Sequence, residues 1–275
     1  MNEHASQKNK SNHLVLIIIM LLCVVLLAFF LPQIIRRAKD SRATAASQAL
    51  IHKYESPATD PFVPDAVQAL EAGPVVETES FPTNKEDMID LAGLRSENPD
   101  VWCVLRVPGT VIDYPVMIDT TGTDKYFDHD FFGNESRSGC IYTDKGTTFD
   151  QSNILLYGHH MRNGSMFGSL ARFSDRTFLD DHKELKLISD GGLRRYEIIG
   201  YFTIAPEDPL IEQHMGLYFK ADYDTLNNAA AEHGYLVRPL DPEKKYISLV
   251  TCEYTRENGR AVVIAENTEN ISFRR

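Results

Sequence analysis

The chain has 275 residues, 43% of them apolar and 24% charged, with a formal net charge of −11. That balance excludes a wholly disordered chain and allows one sizeable core or two small ones. Residues 1–42 carry six Lys and Arg against two acidic residues, so the acidic excess falls on the remainder, which has 22 bases against 37 acids. A domain this acidic is a poor nucleic-acid binder, and none is expected as a partner.

Leu14–Leu31, LVLIIIMLLCVVLLAFFL, is an 18-residue run without a charge. At about 1.5 Å per residue a helix of that length crosses a bilayer. A cleaved secretory signal would have a shorter apolar core and a small-residue site close behind it. Pro32-Gln33-Ile34-Ile35-Arg36-Arg37 follows instead, which points to an uncleaved anchor. Lys8 and Lys10 precede the span, while Arg36, Arg37, Lys39 and Arg42 follow it. Simple positive-inside counting therefore places the C-terminal side in the cytoplasm.

Ala38–Tyr54 is Ala-rich and polar and reads as a helical stalk, and Glu55–Pro82, with five prolines, reads as a linker. Thr83-Asn84-Lys85-Glu86 has the form of a capping box ahead of Met88, Ile89, Leu91, Ala92 and Leu94. From Val101 the pattern becomes eight short apolar runs: VWCVLRV, VIDYPVM, GCIYT, NILLYG, LKLIS, YEIIGYFTI, YISLV and RAVVIAE. Short strands separated by turns predict a closed or nearly closed β-barrel. Met166–Arg172 and Asp222–His233 are the helical candidates that interrupt it.

Of four cysteines, Cys23 lies in the apolar span, leaving Cys103, Cys140 and Cys252. An odd number argues for at least one free thiol, and the absence of CxxC removes zinc-finger and thioredoxin spacings. Cys252 ends the apolar strand ISLVT, and Arg260 opens the next strand beyond a loop containing Asn258-Gly259. Antiparallel strands joined this way bring Cys252 and Arg260 to one rim, where a cation lowers a thiol pKa. A small buried Cys beside a solvated Arg is the structural alternative.

A cysteine nucleophile needs a proton-transfer partner, most often His. Among nine histidines, His159 falls just past the strand NILLYG, as Cys252 falls at the end of its own. If those strands are parallel neighbours, His159, Cys252 and Arg260 converge. His160 is expected to point the other way, because side chains alternate in an extended chain. His159-His160 lacks HExxH, and Asp128-His129-Asp130 lacks the spacing and glycine of a calcium loop, so no metal site is expected.

YGHHM followed by GSMF, TC followed by Arg at the head of RAVVIA, and VPGTVIDYPVM followed by DFFG together resemble the class B sortases. These are membrane-anchored cysteine transpeptidases of Gram-positive cell surfaces, and the resemblance runs from Phe81 to Glu266. It implies a mainly β fold: the sortase eight-stranded barrel, with N-terminal helices and a helix in the long insert before the cysteine strand. By the same resemblance His159, Cys252 and Arg260 are catalytic, and Tyr157, Thr251, Glu253 and Met117 line the substrate groove. Ser248 and Val250 depart from the usual TLxTC-type strand, and Trp102-Cys103-Val104 replaces the usual Val-Gly-Trp.

The implied partners are surface proteins with a C-terminal sorting signal, and an amine of peptidoglycan, its precursor or a pilin. No cofactor is implied. The expected organisation is a cytoplasmic tail (1–13), a transmembrane anchor (14–31), a stalk and linker (32–82) and an external catalytic domain (83–275). The external placement opposes the charge count, because sortase substrates are secreted. A membrane-anchored cysteine hydrolase using the same three residues, or a non-catalytic β-barrel interaction domain, are the rival readings.

Overall fold

The uninterrupted apolar run near the N-terminus lies within one long helix, α1 (Asn2–Lys53). The computed structural model describes residues 2–55, 87–205, 223–252 and 259–273, with side chains from residue 18 onward. The chain divides into two compact units, 1–42 and 43–275. In the first, the apolar side chains of Ile18 to Leu31 are exposed, and among the described residues one helix is long and apolar enough to cross a membrane.

In the second unit, the last turns of α1 pack as part of the fold. Ile51 is fully buried with Leu91 and Leu94, and Gln48 Nε2 donates to the Val111 carbonyl at 2.8 Å. Burial of an Ile side chain contributes about 1.5–3 kcal/mol. Glu55 pairs with Arg106, whose Nε also reaches Asp113 Oδ1 at 2.9 Å. Residues 43–55 thus belong with the barrel, although their Ala-rich, polar composition reads as stalk. Glu55 also forms an antiparallel bridge with Ile89, so the two flanks of the Pro-rich stretch lie side by side.

The capping-box residues 83–86 lie outside the described residues. The helix that follows, α2 (Leu91–Glu97), is capped by Asp90, whose carboxylate accepts from the Gly93 N–H at 2.9 Å. Its apolar face, Leu91 and Leu94, packs on the core.

All eight expected strands are present: β1 (Val101–Arg106), β2 (Asp113–Ile118), β3 (Ile141–Thr143), β4 (Asn153–Tyr157), β5 (Glu184–Ser189), β6 (Gly192–Ile204), β8 (Tyr246–Cys252) and β9 (Arg260–Ser272). A ninth, β7 (Gly234–Leu236), is too short to show a period and joins the sheet beside β6. The order β5-β1-β2-β3-β4-β8-β9-β6 closes on itself through β5–β6, giving an eight-stranded barrel. Closure removes the exposed edges that an open sheet would present. The β2–β3 and β4–β8 pairs are parallel, and the other pairings are antiparallel.

Period two divides the strands between two cores. In β8, Ile247 and Leu249 join one cluster, and Tyr246 and Val250 the other. Helix α3 (Tyr223–His233) covers the second through Tyr223, Leu226, Ala229 and Ala230. Strands buried on both faces read as continuous apolar runs, which explains YISLV and RAVVIA. Of the other helical candidate, the structure shows a 3-10 helix, Gly168–Ser174, followed by a short α-helix at Arg176–Asp181.

Candidate active site

Cys252 and Arg260 are register partners across β8 and β9, so they face each other on one rim of the barrel. Directly opposed residues of an antiparallel pair hold their Cβ atoms about 4.5–5.5 Å apart. Arg260 is buried and its Nη1 donates to the Gly259 carbonyl at 3.3 Å, while Cys252 is partly exposed.

The parallel pairing of β4 and β8 runs to Tyr157 opposite Val250, and Gly158 N then donates to the Val250 carbonyl at 3.2 Å. Two residues further along each chain stand His159 and Cys252. Gly158 has no room for a side chain: an added Cβ would lie 2.8 Å from Ile141 Cδ1 and 2.9 Å from Phe167 Cδ2. Glycine at that position lets Ile141 and Phe167 pack against the backbone directly before the histidines.

His159 is held by a residue far away in sequence. Its Nε2 lies 2.7 Å from the Phe127 carbonyl, and its ring centroid is 4.4 Å from that of Phe127. A carbonyl only accepts, so Nε2 carries the proton and, in the neutral ring, Nδ1 carries the lone pair. Burial pushes the His159 pKa below its ordinary value, and the hydrogen bond to Phe127 opposes that shift only in part. The ring is therefore poised as a neutral base. Nothing local in the sequence signals the Phe127 contact.

His160 departs from the expected strand phase. Its Nδ1 stands 3.0 Å from the Cys252 carbonyl. Alternation fails because β4 ends at Tyr157, and Met161 N and Phe167 N both fold back onto the His159 carbonyl, at 3.1 and 3.0 Å. The chain is no longer extended where the two histidines sit.

The remaining expected site residues are placed unevenly. Thr251 is fully buried, and its hydroxyl has no hydrogen-bond partner among the described residues. Tyr157 is buried, and its hydroxyl donates to Asp144 Oδ2 at 3.1 Å beside the Tyr142 ring. Met117 has no exposed surface and packs in the core with Val101 and Tyr142. Glu253 lies outside the described residues. Tyr142, which no sequence signal marked, has a fully buried hydroxyl within the field of Arg260.

Burial separates the thiols. Cys103 and Cys140 are buried, and desolvation pushes both thiols well above their usual range. Brief iodoacetamide treatment of the folded full-length chain should label Cys252 well ahead of Cys103 and Cys140. Peptide mapping that found either buried thiol labelled first would remove Cys252 as the reactive one.

A family model described as the Sortase domain matches residues 105–268, a stretch that includes His159, Cys252 and Arg260. The chain belongs to the sortase family of cysteine transpeptidases. Sortase B of Listeria monocytogenes is 33% identical over 117 residues, 42% of this chain and 46% of that protein. The matched stretch is thus about half the length of that relative. Sortase B of Staphylococcus aureus is 26% identical over 184 residues, 63% of this chain and 72% of that protein. The crystal structure of Clostridium perfringens sortase B superposes with a TM-score of 0.57 at 29% identity, covering 66% of this chain and 100% of that one. The class B resemblance and the sortase barrel are both found.

Proposed function

We propose that the protein is a membrane-anchored class B-type transpeptidase with Cys252 as nucleophile, His159 as proton shuttle and Arg260 as oxyanion partner. The observation that carries this reading is the Cys252–Arg260 register pair on the rim to which β4 delivers His159. His159 Nδ1 takes the Cys252 thiol proton, and the resulting thiolate attacks the carbonyl of a threonine in a C-terminal sorting signal. As the S–C bond forms and the scissile C–N bond breaks, His159 gives a proton from Nδ1 to the departing amine. An incoming amine then loses a proton to the same nitrogen as its N–C bond replaces the thioester. The Arg260 guanidinium stabilises the oxyanion in both steps. Tyr157, Thr251 and Glu253 are proposed to border the acyl site, whereas Met117 contributes packing. The acceptor amine is that of peptidoglycan, its precursor or a pilin.

The helix through Leu14–Leu31 is the anchor in this reading, with residues 1–13 inside and the barrel outside. Six basic residues flank the span, two before it and four after. That bias is a tendency with exceptions, and meeting secreted substrates is the stronger constraint.

One experiment addresses both proposals. Intact protoplasts bearing the full chain are given an NPxTN-like peptide, the type the family resemblance suggests, and a defined amine. Mass spectrometry should show the threonine joined to the amine, and Cys252→Ala should give none. A free carboxylate alone would make the protein a hydrolase. Product that appears only after lysis would overturn the external placement, and product from Cys252→Ala would overturn the nucleophile.

A further inference from the structure

We propose that His160 is a positioning residue, whose Nδ1–H donates to the Cys252 carbonyl and fixes the strand end from which the thiol projects. The inference rests on the reading of Cys252 as the nucleophile, but the clamp itself is a property of the fold.

In a parallel ladder with Tyr157 opposite Val250, alternate N–H groups of one chain donate to alternate carbonyls of the other. Gly158 N to the Val250 carbonyl, at 3.2 Å, is one such rung. The next would run from the His160 backbone N–H to the Cys252 carbonyl. The chain has turned by then, with His159 accepting from Met161 N and Phe167 N, and with His160 bridged to Met166. At that level the ring of His160 takes the place of its own backbone, with Nδ1 at 3.0 Å from the carbonyl. Since the carbonyl can only accept, Nδ1 is the protonated nitrogen.

The position of this bond gives it a use. Cys252 is the last residue of β8, and strand ends open locally more readily than strand centres. A displacement of about 1 Å at a reacting group costs up to about 100-fold in rate. Arg260 holds one side of Cys252 through the β9 pairing, and His160 holds the other from β4. The pair His159-His160 thereby divides two tasks, proton transfer and support of the nucleophile's backbone.

The shape of the side chain supplies the test. The amide nitrogen of Asn sits where Nδ1 of His sits relative to Cβ, whereas that of Gln lies one atom further out. His160→Ala and His160→Gln should lower kcat about tenfold, the scale of one lost hydrogen bond, with KM changed by less than about twofold. His160→Asn should recover most of the loss. Hydrogen exchange should report the clamp independently of turnover, with the Thr251 and Cys252 amides less protected in the Ala and Gln variants but not in Asn. A chain in which Asn behaves like Gln, or in which exchange is the same in all four proteins, overturns the proposal. If the wild-type protein forms no thioester at Cys252, the functional reading fails instead, and the exchange data still decide the clamp.

Discussion

Replacing His159 with Ala should lower kcat/KM by about 10²–10⁴-fold, the usual range for a general acid–base residue. The melting temperature should fall by no more than about 2–4 °C, because the ring loses one hydrogen bond worth about 1 kcal/mol. The Phe127 carbonyl accepts from Nε2–H at 2.7 Å, and the Phe127 ring packs on the imidazole. That arrangement orients the histidine and leaves Nδ1 as the nitrogen that would exchange protons in the proposed mechanism. The burial that lowers its pKa also keeps it neutral near pH 7, ready to accept a proton from the thiol or from an incoming amine. Parallel turnover and thermal-melt measurements on His159→Ala and His160→Ala separate the two neighbours. A larger rate loss for His160→Ala would exchange their roles, since a clamp is expected to cost only about tenfold.

The fold was legible in the sequence where a period could be counted. Eight strands announce themselves as apolar runs between turns, and the Asn258-Gly259 turn signal anticipated the Cys252–Arg260 pairing, because an antiparallel connection fixes which ends meet. β7, three residues long, carries no period at all. The packing of the end of α1 is illegible in the sequence for a different reason. Ile51 is an isolated apolar residue in a polar, Ala-rich stretch, and only the tertiary structure supplies Leu91 and Leu94 to cover it. The ion pair of Glu55 with Arg106 joins residues 51 positions apart, a distance over which a local pattern says nothing.

The site followed the same division. Strand ends and residue types pointed to His159, Cys252 and Arg260, while the parts that orient them came from elsewhere in the chain. Phe127 lies 32 positions from His159, and its contribution is a backbone carbonyl, which any residue would carry. His160 was misdirected by a rule applied one turn too far. Alternation holds within β4, and the strand ends at Tyr157, just before the histidines.

Arg260→Lys should lower kcat by about two orders of magnitude, the scale seen when an oxyanion donor is removed. The guanidinium is buried on the rim, register-paired with Cys252, and spends Nη1 on the Gly259 carbonyl. That contact restrains the guanidinium at the entrance of β9. Lysine keeps the charge but presents a compact ammonium on a flexible stem, without a planar set of donors. The loss should therefore fall on kcat more than on KM, because in the proposed mechanism those donors meet charge that develops in the transition state. Arg238 provides the control. It pairs with Glu197 and with Glu266, which stands opposite Tyr246 at the far end of the β8–β9 ladder, so Arg238→Lys should turn over at a near-normal rate. Single-turnover acylation of Cys252, followed by mass spectrometry, reads the step directly. A near-normal acylation rate for Arg260→Lys would mean that a positive charge near the thiol suffices, and that the geometry of the guanidinium is not used.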